Sequence, residues 1–203
     1  MKKLKTVLLI CAVLLMASPQ MSRAQQAGSE NIFVVYYPAR DIGEFKAIAE
    51  QVARLKPYGR IDVGINNAAE KAFFELPEEG GNWHDYASYN RSVAVFFPDE
   101  KIAPYIPEDF VKNNRKLLGK KMEIIRKLGL NGAFRSNEPR YLSEAFFKEY
   151  PDLMGPRVDH PRRSTQKEFA PCFHKEGTVE MYQNMVDRLF AFAPELNTFY
   201  FSM

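Results

Sequence analysis

The feature that most constrains this fold is an alternation of short apolar segments with longer amphipathic ones. Runs of β-branched and aromatic residues predict strands at 32–37, 61–65, 131–134 and 198–201, and the first of these is expected to be buried. Apolar residues at helical spacing predict helices that begin at Asp41 and that span 107–128, 142–150 and 176–192. Gly129 is expected to end the second of these helices, and Val179 is expected to face inward on the fourth. Such alternation is typical of a parallel sheet whose strands are joined by right-handed helical crossovers.

The number of strand–helix units predicts the fold class. Four parallel strands with helices outside them are half of a (β/α)8 barrel, so we predict an α/β fold of the parallel (β/α) barrel type with about four units. The loops that follow the strands are long and those that precede them are short, which predicts a functional face at the carboxyl ends of the strands. A small open doubly wound sheet is the alternative, and it would use the same ends.

The last predicted strand bears on the same question. A parallel strand is normally paired on both edges and buried on both faces, yet no element follows 198–201 to cover it. Either this segment is an inner strand of a small sheet or the reading frame is a truncated half barrel, and we expect truncation. Uncovered sheet edges would also favour self-association.

Two long stretches interrupt the alternation. Residues 67–106 contain several prolines and a glycine pair, and they are expected to form an insertion with a strand at 93–97 inside it. Residues 151–172 are again rich in proline and are expected to be irregular.

The N-terminus has the order of a secretory leader. Three lysines among the first five residues precede an apolar run at 7–17 and a small-residue site that predicts cleavage after Ala24. The run is much shorter than the ~20 residues that a spanning helix needs. We expect a signal peptide over 1–24, a flexible lead-in over 25–30 and a secreted or periplasmic domain over 31–203, with no membrane contact after cleavage. An uncleaved membrane anchor is the alternative.

Charge and motif content exclude several classes of function. The chain has 28 Lys and Arg against 25 Asp and Glu, and four of the basic residues belong to the leader, so the mature net charge is close to zero. Nothing in that charge favours nucleic acid. The chain has no glycine-rich phosphate loop, and its three histidines are not at metal-ligand spacing. We predict no nucleic-acid partner, no cofactor and no metal ion.

The loop after the second predicted strand carries the first group of candidate site residues. It places Trp83, the only tryptophan, beside His84 and Asp85. An aromatic ring next to short polar groups suits a sugar, which has apolar C–H faces and a fringe of hydroxyls. The alternative is that Trp83 fills a core of the insertion and that His84 and Asp85 pair with each other.

A second group of candidate residues lies where the third predicted strand ends. There Glu138 is a candidate general acid or base, and Arg135 and Asn137 are candidates to bind a carboxylate, a sulfate or hydroxyls. Tyr36, at the end of the first strand, is a further candidate for substrate binding. Alternatively, Glu138 caps the following helix and pairs with Arg140.

The third group lies in the proline-rich stretch. Asp159, His160, Arg162 and Arg163 fall within five residues, and prolines flank His160 and stiffen its backbone. A solvated basic loop is the alternative.

These groups belong to longer stretches that resemble a known family. The stretches are 83–90, 96–98, 137–139, 150–164, 170–172 and 194–199. They resemble a bacterial family of secreted glycoside-hydrolase-like (β/α)8 barrels that is loosely akin to the hexosaminidase and α-glucuronidase superfamily. The resemblance covers most of 31–203.

The resemblance implies a glycan substrate and roles for the candidate residues. Glu138 and Asp159 would be the catalytic carboxyls, and Trp83 would stack on the sugar. The resemblance also implies four further strand–helix units after an acidic, glycine-rich loop, and this sequence stops before them. Hydrolysis between two carboxyls needs both of them. A carbohydrate-binding or scaffold fragment without turnover therefore remains the alternative to a hydrolase.

Overall fold

The computed structural model describes residues 31–37, 39, 41–66, 92–138, 141–158 and 167–202. The strands are β1 (Ile32–Val35), β2 (Arg60–Gly64), β3 (Asn131–Asn137), β4 (Met154–Arg157), β5 (Phe169–Pro171) and β6 (Leu196–Ser202). The α-helices are α1 (Ile42–Val52), α2 (Glu108–Leu128), α3 (Glu144–Glu149) and α4 (Glu176–Phe192). Short 3-10 helices occupy Ala53–Tyr58, Val93–Val95, Ala103–Tyr105 and Pro151–Leu153. No helix within these ranges is long and apolar enough to cross a bilayer.

The main sheet confirms the predicted fold class. Its strand order is β1-β2-β3-β6, and every neighbouring pair is parallel. The order follows the chain without a reversal, so right-handed crossovers put successive helices on the same face of the sheet. A doubly wound sheet would reverse its order and put helices on both faces. The four strands therefore have the topology of a partial (β/α) barrel.

The core lies between this sheet and its helices. Side chains at alternate strand positions, such as Ile61, Val63 and Phe134, are fully or almost fully buried and belong to one cluster with helical residues. Phe134 stacks on Phe199 of β6 with ring centroids 5.7 Å apart, and it meets the edge of Phe96 at 5.6 Å. We call this side of the sheet the helix face.

Local signals explain where the helices begin and end. The Oδ1 atom of Asp41 accepts a hydrogen bond from the backbone N–H of Glu44 at 2.8 Å, which caps the start of α1. Gly129 ends α2 in the left-handed region with a φ of 60°. Ser143, rather than Glu138, caps α3 by accepting from the N–H of Phe146. The alternative role for Glu138, as the cap of this helix, is therefore wrong.

The predicted strand at 93–97 is also wrong, because Val93–Val95 form a 3-10 helix. A short apolar run fits a buried strand and a buried helical turn equally well, and tertiary contacts decide between them. Here the Nδ2 atom of Asn114 donates to the carbonyl of Val95 at 2.9 Å, and Arg115 donates to the carbonyl of Phe96. These two α2 side chains satisfy backbone groups that a strand partner would otherwise pair.

Three further expectations are corrected. β1 was predicted to be buried, but Ile32 and Val34 are 50% and 45% exposed because β1 lies at the edge of the sheet. Val179 was predicted to face inward on α4, and it is exposed whereas Thr178 is buried. The stretch 151–172 was expected to be irregular, yet it contains the antiparallel pair β4–β5.

Candidate functional site

Several candidate residues lie outside the described ranges, and their predicted roles stay predictions. These residues are Trp83, His84, Asp85, Asp159, His160, Arg162 and Arg163. The structure describes Tyr36, Arg135 and Glu138 and places their side chains on two sides of the sheet. Of Asn137 it describes the backbone only.

β3 is longer than the sequence predicts, and this changes the setting of Arg135 and Asn137. They were expected in a loop after the third strand, but both belong to β3, which pairs with β6 as far as the Asn137–Ser202 match. Because side chains alternate along a strand, Arg135 lies on the side opposite the buried residues Phe134 and Ser136. We call this side of the sheet the open face.

Arg135 is held in place through its backbone and its side chain. Asn66, which is fully buried just after β2, donates from Nδ2 to the carbonyl of Arg135 at 2.7 Å and accepts from its N–H at 3.0 Å. The guanidinium carbon lies 5.3 Å from the ring centroid of Tyr200, which is the register partner of Arg135 on β6. Tyr200 is 52% exposed, so its ring offers an aromatic surface on the open face.

Tyr36 reaches the same region because β2 carries a glycine. A Cβ atom at Gly64 would lie only 2.2 Å from Cδ1 of Tyr36, so the tyrosine ring occupies the space that a side chain would take. Burial raises the pKa of Tyr36 to about 12, although the nearby Arg135 guanidinium acts to lower it. The phenol is therefore a neutral donor at neutral pH. Its oxygen is buried and has no hydrogen-bond partner among the described residues.

A charged pair lies on the open face within β2. Asp62 is fully buried, and its two carboxylate oxygens accept from Nε and from a terminal nitrogen of Arg60, both at 3.0 Å. Thr198 of β6 donates to the same carboxylate. Sequence reasoning missed Asp62 and Tyr200. A carboxylate between Ile61 and Val63 was a usable signal, because a charge inside an apolar strand needs a partner.

Glu138 lies with the helix face. It is 2% exposed, and Ser136 Oγ donates to its Oε1 at 2.8 Å while Tyr182 Oη of α4 donates to its Oε2 at 2.9 Å. The two donors come from β3 and α4, so this carboxylate joins a helix to the end of a strand. Its predicted role in proton transfer stays a prediction.

No metal centre is apparent within the described ranges. No group of three His, Cys, Asp or Glu side chains there could hold a metal ion. The open face instead carries the aromatic ring of Tyr200, the phenol of Tyr36 and the guanidinium of Arg135. The side-chain amide of Asn66 holds the backbone of Arg135 in place. Such groups contact organic ligands through stacking and hydrogen bonds.

Comparison with known proteins gives structural neighbours only. No protein-family model matches the chain, and no curated protein matches it. An α-galactosidase from Lactobacillus brevis is similar with a TM-score of 0.48 and 12% identity, over 85% of this chain and 20% of that one. The GH20 catalytic modules of the pneumococcal exo-β-D-N-acetylglucosaminidase give a TM-score of 0.45 and 11% identity, over 85% and 41%. The chain thus spans less than half the length of either neighbour, and at these identities the likeness concerns the fold alone.

Proposed function

We propose that this chain is a secreted carbohydrate-active protein that binds a glycan on the open face of its sheet. The observation that carries the proposal is the grouping of Tyr36, Arg135 and Tyr200 near the carboxyl ends of parallel strands. Ligand sites of (β/α) barrels form at those ends. Tyr200 supplies a surface for the C–H face of a sugar, and Tyr36 and Arg135 supply donors for its oxygens.

Glycoside hydrolysis is the activity that the family resemblance favours for this surface. Such hydrolysis uses two carboxyls about 5–9.5 Å apart across the sugar. We propose Asp159 as one of them. The sequence-based candidate for the other, Glu138, lies with the helix face, so it could act on a glycan only if it left its contacts with Ser136 and Tyr182. We also propose that the leader over 1–24 directs export. N-terminal sequencing of the exported protein should then give Gln25 as its first residue.

Glycan binding without turnover is the second candidate, and a specific observation favours it. Both oxygens of Asp62 accept hydrogen bonds from Arg60, and both oxygens of Glu138 accept from neighbouring hydroxyls. Hydrogen bonds to both oxygens are typical of carboxylates with a structural role, and this favours binding without turnover. A screen of aryl glycosides separates the two candidates, because glycan binding with no turnover on any substrate would sink the hydrolase proposal.

The binding proposal is tested by a matched pair of tyrosine substitutions. Tyr200→Ala is expected to weaken glycan binding about two- to tenfold, since stacking on an aromatic ring is worth about 0.5–1.5 kcal/mol. Tyr58→Ala is the control: this tyrosine is 68% exposed, but it precedes β2 and so lies toward the amino ends of the strands. Isothermal titration against a glycan panel makes the comparison. Equal losses in both variants would contradict the assignment to the open face.

A further inference from the structure

Lys121 is a charged residue on the side of α2 that packs into the core. It lies between the buried residues Leu118 and Ile125, and it is only 2% exposed. Its Nζ atom donates a hydrogen bond to the carbonyl of Ile65 at 3.1 Å and lies 5.1 Å from the ring centroid of Phe45. A buried ammonium group costs stability that an apolar side chain of similar length would not. Such a cost is typical of residues that a functional site requires.

The carbonyl that Lys121 binds lies where the hydrogen-bond ladder between β2 and β3 would continue. The N–H of Ile65, directly after β2, donates to the carbonyl of Ala133 at 3.0 Å. In a regular parallel ladder the next hydrogen bond would run from the N–H of Arg135 to the carbonyl of Ile65. The N–H of Arg135 instead donates to Oδ1 of Asn66 at 3.0 Å. The side chains of Lys121 and Asn66 thus take the two backbone groups that this bond would join.

We propose that Lys121 is a positioning residue for Arg135. By holding the Ile65 carbonyl, it leaves both backbone groups of Arg135 to the side chain of Asn66 and so determines how this end of β3 carries the guanidinium. That guanidinium lies 5.3 Å from the ring centroid of Tyr200. The role rests on the proposed function, because Arg135 and Tyr200 belong to the proposed glycan surface.

Lys121→Met tests this role, because methionine is similar in length and carries no charge. The Ile65 carbonyl is then expected to return to the ladder and to accept from the N–H of Arg135. Scalar couplings across hydrogen bonds, measured by NMR, identify the acceptor. The amide of Arg135 should couple to Cγ of Asn66 in the unsubstituted protein and to the carbonyl carbon of Ile65 in Lys121→Met. The midpoint of urea denaturation should be unchanged or higher, since an apolar side chain replaces a buried charge.

Glycan binding shows whether this exchange of acceptors affects the proposed surface. A panel of neutral and acidic oligosaccharides is titrated into the full chain, and those that bind are titrated into each variant. Lys121→Met should weaken their binding about two- to tenfold, which is the effect of one hydrogen bond or cation–π contact. Lys120→Met is the matched control, because it makes the same change at the preceding residue of α2, which is exposed. It should alter neither the couplings nor the affinity.

A second variant covers the case in which Lys121→Met does not fold. Lys121→Gln keeps a neutral N–H donor on a shorter side chain, and the same changes are expected from it. An Arg135 amide that still couples to Asn66, an unchanged affinity, or failure of both variants to fold overturns the inference. If no oligosaccharide binds the unsubstituted protein, the proposed function fails, and the couplings alone decide whether Lys121 positions Arg135.

Discussion

Glu138→Ala is expected to lower the free energy of unfolding by about 2–5 kcal/mol. The substitution deprives the hydroxyls of Ser136 and Tyr182 of their acceptor, and each buried donor without a partner costs about 1–3 kcal/mol. It also removes the side chain that joins β3 to α4. Urea denaturation followed by circular dichroism measures the change as a lower midpoint with an unchanged slope.

Two conservative substitutions calibrate this result. Glu138→Gln keeps one oxygen acceptor and nearly the same volume, so we expect a loss of only about 1 kcal/mol. Tyr182→Phe removes one hydroxyl donor and should cost about 1–2 kcal/mol, less than additively when combined with Glu138→Gln, because the two residues are in direct contact. An unchanged midpoint for Glu138→Ala would contradict a structural role for this carboxylate.

The same variants address the predicted catalytic role of Glu138. If an aryl glycoside is hydrolysed, Glu138→Gln gives a folded protein in which proton transfer by this residue is blocked. Loss of turnover at nearly unchanged stability would support that role, whereas turnover that survives in Glu138→Gln would restrict the residue to the architecture.

Gly64→Ala is expected to displace Tyr36 and to weaken glycan binding. The new methyl group would lie within 2.2 Å of the tyrosine ring, so the ring must move, at a cost of about 1–3 kcal/mol in stability. Once exposed, the phenol of Tyr36 should titrate nearer its ordinary pKa of 10.0 than the value of about 12 that burial gives it. Tyrosinate absorbance during an alkaline titration, with Tyr36→Phe as the reference, reports the shift.

The unsubstituted protein and Gly64→Ala should also differ in how their stability changes at alkaline pH. The pKa of Tyr36 is raised in the folded state, so its contribution is complete below about pH 10 and is lost as the pH rises through about 12. In Gly64→Ala the fall in stability with rising pH should be smaller. The control is Gly119→Ala on α2, where a Cβ would approach Phe192 no closer than 3.4 Å. It should be neutral or stabilising by up to about 1 kcal/mol, as expected for a helix interior. A Tyr36 that still titrates near 12 in Gly64→Ala would contradict the ring placement.

Much of the architecture was readable in local patterns. The spacing of apolar residues predicted α4 over the same residues that the structure shows, and the glycine at 129 marked the end of α2 correctly. These signals succeed because helix periodicity and termini depend on residues within a few positions of one another. The prediction of a strand at 93–97 was wrong because the side chains that decide its conformation, Asn114 and Arg115, are distant from it in sequence.

The candidate site, like the fold, could be predicted from the sequence only in part. The sequence by itself determined that polar groups such as Arg135 and Glu138 gather near the end of the third strand, because that position follows from the apolar pattern. Only the tertiary structure decided that β3 continues to Asn137, which puts Arg135 on the open face and Glu138 beside Tyr182. Strand length and register depend on pairing with β6, about sixty residues further along the chain, and one residue of change reverses which face each side chain meets.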